Sequence, residues 1–154
     1  MPQTFQAEYV LGFMFSADGQ DVALIRKDHP EWQAGLYNGI GGKRKKNESY
    51  SAAMEREFFE ATGINSIKEI IIWRMRLDLN FGTQSKVRIY SHFNDFIYQI
   101  NSMSSRKVEI FRVNAIYEGL PVISDLFWIL PLILDPLFIH GQIELSEDEM
   151  QHYG

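Results

Sequence analysis

Apolar positions recur along this chain with two periods, and the period switches from segment to segment. Tyr9 to Phe15 is apolar and aromatic, and Val22 to Ile25 is a shorter run of the same kind. Between them, Ala17-Asp18-Gly19-Gln20 supplies turn residues, so the pair predicts a β-hairpin. From Ser49 to Ala61 the period becomes helical: Tyr50, Met54 and Phe58 stand four apart and predict one buried stripe. Asn47 suits the N-cap of this helix, Glu48 adds negative charge at its positive end, and Gly63 suits a left-handed C-terminal cap. Ile67 to Leu79 and Lys86 to Tyr98 are rich in Ile, Val, Phe, Tyr and Trp, which predicts two long strands joined by a turn around Asn80-Phe81-Gly82. Val108 to Val113 predicts another short strand. Ile123 to Asp135 predicts a closing helix in which Pro131 is an awkward interior residue. His29 to Tyr37 and Asn101 to Lys107 read as loops, and the acidic stretch from Glu144 as a frayed tail. The pattern implies an α/β fold, with a mixed or mostly antiparallel sheet and at least two helices, in one domain over residues 1–143 followed by a tail over 144–154.

Composition narrows the class. At 154 residues the chain suits one domain with a sizeable core. A net charge of −5 points away from nonspecific nucleic-acid binding. The absence of cysteine excludes a disulfide framework and a thiolate zinc site. The N-terminal apolar run lacks a basic segment before it, so it does not read as a signal peptide. Leu126 to Leu134 is too short to span a bilayer and contains Pro131. The expectation is a cytoplasmic protein with neither nucleic acid nor membrane as partner.

The candidate chemistry lies between Gly41 and Ile64. Glu57 and Glu60, three apart on the predicted helix, share a face with Arg56 beside them. Their mutual repulsion would become attraction with a divalent cation between them, and hard cations such as Mg²⁺ take oxygen ligands. The Gly41-Gly42 pair would let the backbone come close to metal and phosphates. It is not a P-loop, because Arg44 follows Lys43 where Ser or Thr is needed. Lys43 to Lys46 are all basic: a solvated turn, or an electropositive lip that steers polyphosphate. Arg26, Lys27 and His29 at a strand end are either solvated or phosphate contacts. Trp32 would stack on a base or pack over its loop. Asn38, before Gly39, would form a turn or read a base edge. His92 reads as a structural residue.

The spacing of Gly42, Glu48, Arg56, Glu57, Phe58, Glu60, Gly63 and Ile64 resembles the Nudix box, G-x5-E-x7-R-E-U-x-E-E-x-G-U, with U a bulky apolar residue. One position departs: Ala61 stands where the family has its last Glu. The resemblance implies an α/β/α sandwich and metal-dependent hydrolysis of a nucleoside diphosphate linked to another group X, a nucleoside triphosphate first among the candidates. It implies Mg²⁺ (or Mn²⁺) held by Glu57, Glu60 and the Gly41 carbonyl, with Arg56 and Glu48 orienting them. It also implies substrate contacts from Lys43, Asn38, Trp32 and Asp125. The segment Trp128-Ile129-Leu130-Pro131 resembles a Trp-x-x-Pro stretch of the branch that acts on oxidised purine nucleotides, and Asp125 falls where that branch contacts the base. A second departure lies at Ser104 to Lys107, a loop that offers no carboxylate where many members have one, and Glu109 is the nearest acid. Ala61 and that loop keep open an alternative: a degenerate module that binds a nucleotide or a protein without turnover. The small-molecule nucleotide is the expected partner, and the oligomeric state stays open, a homodimer included.

Overall fold

Alternation along each strand decides which side of the sheet a residue serves. In β1 (Ala7–Phe15), Leu11, Phe13 and Phe15 pack to one side, and Val10 and Met14 to the other. The computed structural model describes residues 5–28, 33–100 and 107–148. Within them β1 is central. It pairs antiparallel with β2 (Asp21–Arg26) and with β4 (Ile40–Lys43), and parallel with β6 (Ser85–Phe93). β2 also pairs with β3 (Tyr37–Asn38) and with β7 (Lys107–Arg112). Beyond β6 come β5 (Arg74–Phe81) and β8 (Gly141–Leu145), which make an antiparallel and then a parallel pairing. The result is an eight-stranded mixed sheet.

A helix covers each side. Helix α1 (Tyr50–Thr62) presses Ala53, Met54, Phe58 and Ala61 onto Val10, Met14, Ile25, Ile40 and Tyr90. Met54 and Phe58 are fully buried, each worth about 1.5–3 kcal/mol of transfer free energy. Helix α2 (Leu126–Leu134) presses Leu126, Ile129, Leu130 and Ile133 onto the opposite layer of Phe13, Phe15, Leu77 and Leu79. This is the α/β/α sandwich that the resemblance implies. Among the described residues no helix is long and apolar enough to cross a membrane.

Several boundaries differ from the sequence reading. The long strand expected from Ile67 begins only at Arg74. The stretch before it is a series of turns in which Ile70 has a φ of 56° and Trp73 Nε1 donates to Ser66 Oγ at 3.2 Å. Side-chain type suits a strand there, but the backbone closes turns on itself, Ile70 N–H donating to the Ile67 carbonyl at 3.2 Å and Ile71 N–H to the Ser66 carbonyl at 2.7 Å. The second long strand ends at Phe93, not Tyr98, because the Asn94 side chain accepts from Phe96 N–H and starts a 3₁₀ turn over Asp95–Gln99. The expected frayed tail from Glu144 is strand through Leu145, and Glu144 accepts from Asn80 at 3.0 Å. Pro131 does sit inside α2. Its missing N–H leaves the Phe127 carbonyl without a helical donor, and the Tyr117 hydroxyl donates to that carbonyl at 3.3 Å.

Candidate functional site

The entry to α1 is built from its own side chains. Ser49, not Asn47, is the N-cap: its Oγ accepts from Ala52 N–H at 3.0 Å, a bond worth about 1 kcal/mol. Asn47 instead takes a left-handed conformation (φ 67°), which Asn tolerates, and so turns the chain into the helix. Glu48 closes that turn by accepting from Lys45 N–H at 2.9 Å. Gly63, at φ 76°, ends the helix by donating to the Phe59 carbonyl at 2.7 Å.

The pairing of β4 with β1 sets Gly41 opposite Leu11 and Gly42 opposite Val10, beneath α1. A Cβ at Gly42 would lie 2.1 Å from Glu57 Oε1. Glycine leaves that space to the Glu57 carboxylate, which rests directly on the strand backbone, with the residue only 4% exposed. Glu60, one turn on, has a side chain 40% exposed. Arg56 joins the acids. Its Nε donates to Glu48 Oε2 at 2.7 Å and its Nη2 to Glu48 Oε1 at 3.1 Å, while Nη1 reaches Glu57 at 3.3 Å and Glu60 at 3.4 Å. Nη2 also donates to the Lys43 carbonyl at 3.0 Å, which ties the glycine turn to the helix. The hydrogen bonds to Glu48 raise the Arg56 pKa above the usual guanidinium value against the opposing effect of burial. The same bonds hold the Glu48 carboxyl below the usual carboxylate range.

The repulsion expected between Glu57 and Glu60 is thus already relieved by Nη1 of Arg56. Two carboxylates, one seated in a cradle that any Cβ would fill, form a donor set that suits one hard cation keeping several waters. Among the described residues, no three His, Asp or Glu side chains gather as a metal site. Ala61 is fully buried in the apolar layer beneath α1. Glu109, on β7, accepts from the Tyr37 hydroxyl at 3.1 Å.

The expected substrate residues are placed unevenly. Asn38 is buried, and its Oδ1 accepts from Gly39 N–H at 2.8 Å, which is the turn-forming use of an Asn before Gly. It lines a small hollow with Lys27, Tyr9, Gly41 and Gly42. The Lys43 side chain is exposed. Asp125 stands on the same flank as Asn38, because Tyr37 exchanges backbone bonds with Pro121 (2.8 Å) and Ile123 (2.9 Å). Its carboxylate accepts from Trp128 Nε1 at 3.0 Å, so the Trp of the Trp-x-x-Pro stretch braces it. Trp32, His29 and Ser104 to Arg106 lie outside the described residues.

One cluster escaped the sequence reading. Arg44 is not part of a free basic lip: it is ion-paired with Glu8 and donates to the Glu48 carbonyl. Its guanidinium, with those of Arg88 and the ammonium of Lys86, surrounds the Tyr50 ring at 5.2, 4.5 and 5.4 Å. The available signal was the pair Lys86 and Arg88, two apart on a strand and hence on one face.

No family model and no curated protein matches the chain. Solved structures do match. The E. coli dihydroneopterin triphosphate pyrophosphohydrolase superposes with a TM-score of 0.64 at 13% identity, covering 86% of this chain and 99% of that one. A MutT protein from Bacillus halodurans gives 0.59 at 18% identity, with 92% of each chain covered. The Nudix domain of Shewanella oneidensis NrtR, solved with ADP ribose, gives 0.61 at 19% identity over 85% of this chain and 86% of that one. The chain therefore has the Nudix fold.

Proposed function

We propose that this protein hydrolyses a pyrophosphate bond in a nucleoside diphosphate linked to X, with a nucleoside triphosphate, including an oxidised purine one, as first candidate. The observation that carries the reading is Arg56 in contact with Glu48, Glu57 and Glu60 above the Gly42 cradle. A fold needs no such assembly on its surface, whereas a phosphate-transfer site does.

Glu57, Glu60 and the Gly41 carbonyl would hold Mg²⁺ or Mn²⁺, which supplies charge neutralisation and a more acidic bound water. Glu60, the more exposed carboxylate, accepts the proton of the attacking water. The water oxygen bonds to phosphorus as the bridging P–O bond breaks, and the bridging electron pair leaves with the departing phosphate. Arg56 keeps Glu57 and Glu60 aligned, and Glu48 keeps Arg56 aligned. Lys43 meets phosphate, and Asn38, Trp32 and Asp125 meet the base.

The test is phosphate or pyrophosphate release from ordinary and 8-oxo nucleoside triphosphates, ADP-ribose, NADH and diadenosine polyphosphates, with Mg²⁺ and with Mn²⁺. Turnover that Glu57→Gln abolishes supports the reading and names X. Silence across the panel while a nucleotide still binds would favour the second reading, a module without turnover, which the buried Ala61 in place of a carboxylate also favours.

A further inference from the structure

Two arginines stand together at the other end of the sheet, and no carboxylate among the described residues bridges to either. Arg76 is 6% exposed. A β-bulge between Met75 and Leu77 explains where it points. Met75 packs toward α1 and Leu77 toward α2, so the extra residue between them escapes normal alternation. Arg76 turns to the α2 side, where Nε donates to the Ile139 carbonyl at 2.8 Å, Nη2 to the Phe138 carbonyl at 2.7 Å and Nη1 to Ser91 Oγ at 3.0 Å. All three partners are neutral. A guanidinium has five N–H groups, so two remain. Ser91 is buried and, having accepted from Arg76, keeps its own hydroxyl proton for another acceptor. Arg74, paired in register with Ser91, is exposed beside them.

These groups line an open hollow of about 330 Å³, walled also by Ile72, His92 and Phe93. Burial, and then the charge of Arg74, press the Arg76 pKa downward, which is the mark of a cation lacking its counter-charge. A second hollow on the far side of the arginines holds Asp135, whose carboxylate already accepts from Leu137 N–H at 2.9 Å. The hollow is separate from the glutamate site. Ser91 is four residues along β6 from Val87, which lines the small hollow beside Gly42, and that is roughly 13 Å of strand.

We propose that this hollow is a second anion site, which takes a phosphate group through Arg74, Arg76 and Ser91. Two adjacent cations favour a dianion over a monoanion, and guanidinium N–H pairs match phosphate oxygens. The phosphate is either free or part of a small phosphomonoester, and the apolar wall of Ile72 and Phe93 would meet the remainder of an ester. The site stands whether or not the glutamate site turns over nucleotides.

The test is calorimetric titration of the full chain at constant ionic strength, without divalent metal, using inorganic phosphate, glycerol 3-phosphate and acetate. Saturable phosphate binding is expected, weakened at least tenfold by Arg74→Ala, which changes an exposed side chain. Lys43→Ala, at the other site, should leave it unchanged. Acetate should bind at least tenfold more weakly. Tighter binding of the ester than of free phosphate identifies an organic phosphate as ligand, and the reverse identifies phosphate itself. The proposal is overturned by an absence of saturable heat, by equal binding in Arg74→Ala, by loss in Lys43→Ala, or by acetate binding as well as phosphate. A Ser91→Ala variant that binds phosphate like the wild type would remove the hydroxyl from the site.

Discussion

Arg56 gives Glu48 the two-donor edge of its guanidinium, at 2.7 and 3.1 Å, and turns its remaining nitrogen to Glu57 and Glu60. One planar cation therefore sets the positions of three carboxylates. The shorter contacts are on Glu48, so that acid anchors the arginine and the other two are the ones presented. A lysine could balance the charge but could not serve both edges at once.

Arg56→Lys is accordingly expected to lower turnover at least about tenfold, although charge is conserved. Steady-state kinetics on the substrate found by the panel would check it. Turnover equal to the wild type would show that charge alone, and not the two-edged geometry, matters at position 56.

Gly42→Ala introduces a Cβ where Glu57 Oε1 now lies, 2.1 Å away. The carboxylate must move off the strand. Mg²⁺ affinity by calorimetry should fall at least about tenfold, with far-UV circular dichroism unchanged, as expected when a ligand is displaced from a site held to small tolerances. Undiminished affinity would mean that Glu57 does not hold the cation.

Glu60→Gln removes the exposed carboxylate and keeps its shape. A positioned proton acceptor supplies about 10²–10⁴-fold, so a loss of at least about tenfold in turnover is expected. Full activity would assign the proton to another group.

Ala61→Glu tests the departure from the box. The position is fully buried, so an unpaired carboxylate there costs several kcal/mol. In EDTA the melting temperature should fall by roughly 5–10 °C. Millimolar Mg²⁺ should recover part of the loss if the new carboxylate reaches the cation. A melting temperature that Mg²⁺ leaves where it was would show that position 61 faces only the apolar layer.

His92 gives the fold a pH dependence. Its Nδ1 lies 3.1 Å from the Ile72 carbonyl, and burial outweighs that bond and lowers its pKa below the usual 6.5. The unfolded chain then takes up the proton first. The contribution of His92 is complete above about pH 6.5 and is lost as pH falls through the lower folded value. Thermal melts between pH 7.5 and 5 should show this loss, and His92→Gln should flatten it. The Glu48 carboxyl, lowered by Arg56, acts in the same direction only at more acid pH, below about 4.5.

Local order was legible in the chain wherever one segment supplies both the signal and its satisfaction. The Met54 and Phe58 part of the helical stripe, the Gly63 cap and the β1 strand depend on neighbours in sequence and appear as expected, whereas Tyr50, the first residue of that stripe, is only half-buried. The glutamates and Arg56 lie within one helix and the turn before it, so their meeting also follows from spacing. What tertiary structure alone decided depends on distant backbone. Ile67 to Ile72 has the side chains of a strand but bonds its backbone into turns, whereas Gly141–Leu145 has a mediocre pattern and pairs along β5. The Glu57 carboxylate sits on Gly42 only because β4 is laid against β1, and Asp125 shares a flank with Asn38 only because Tyr37 bonds both Pro121 and Ile123. Arg76 faces its hollow because a bulge breaks alternation, and a bulge is a property of two strands in register, which no single strand records.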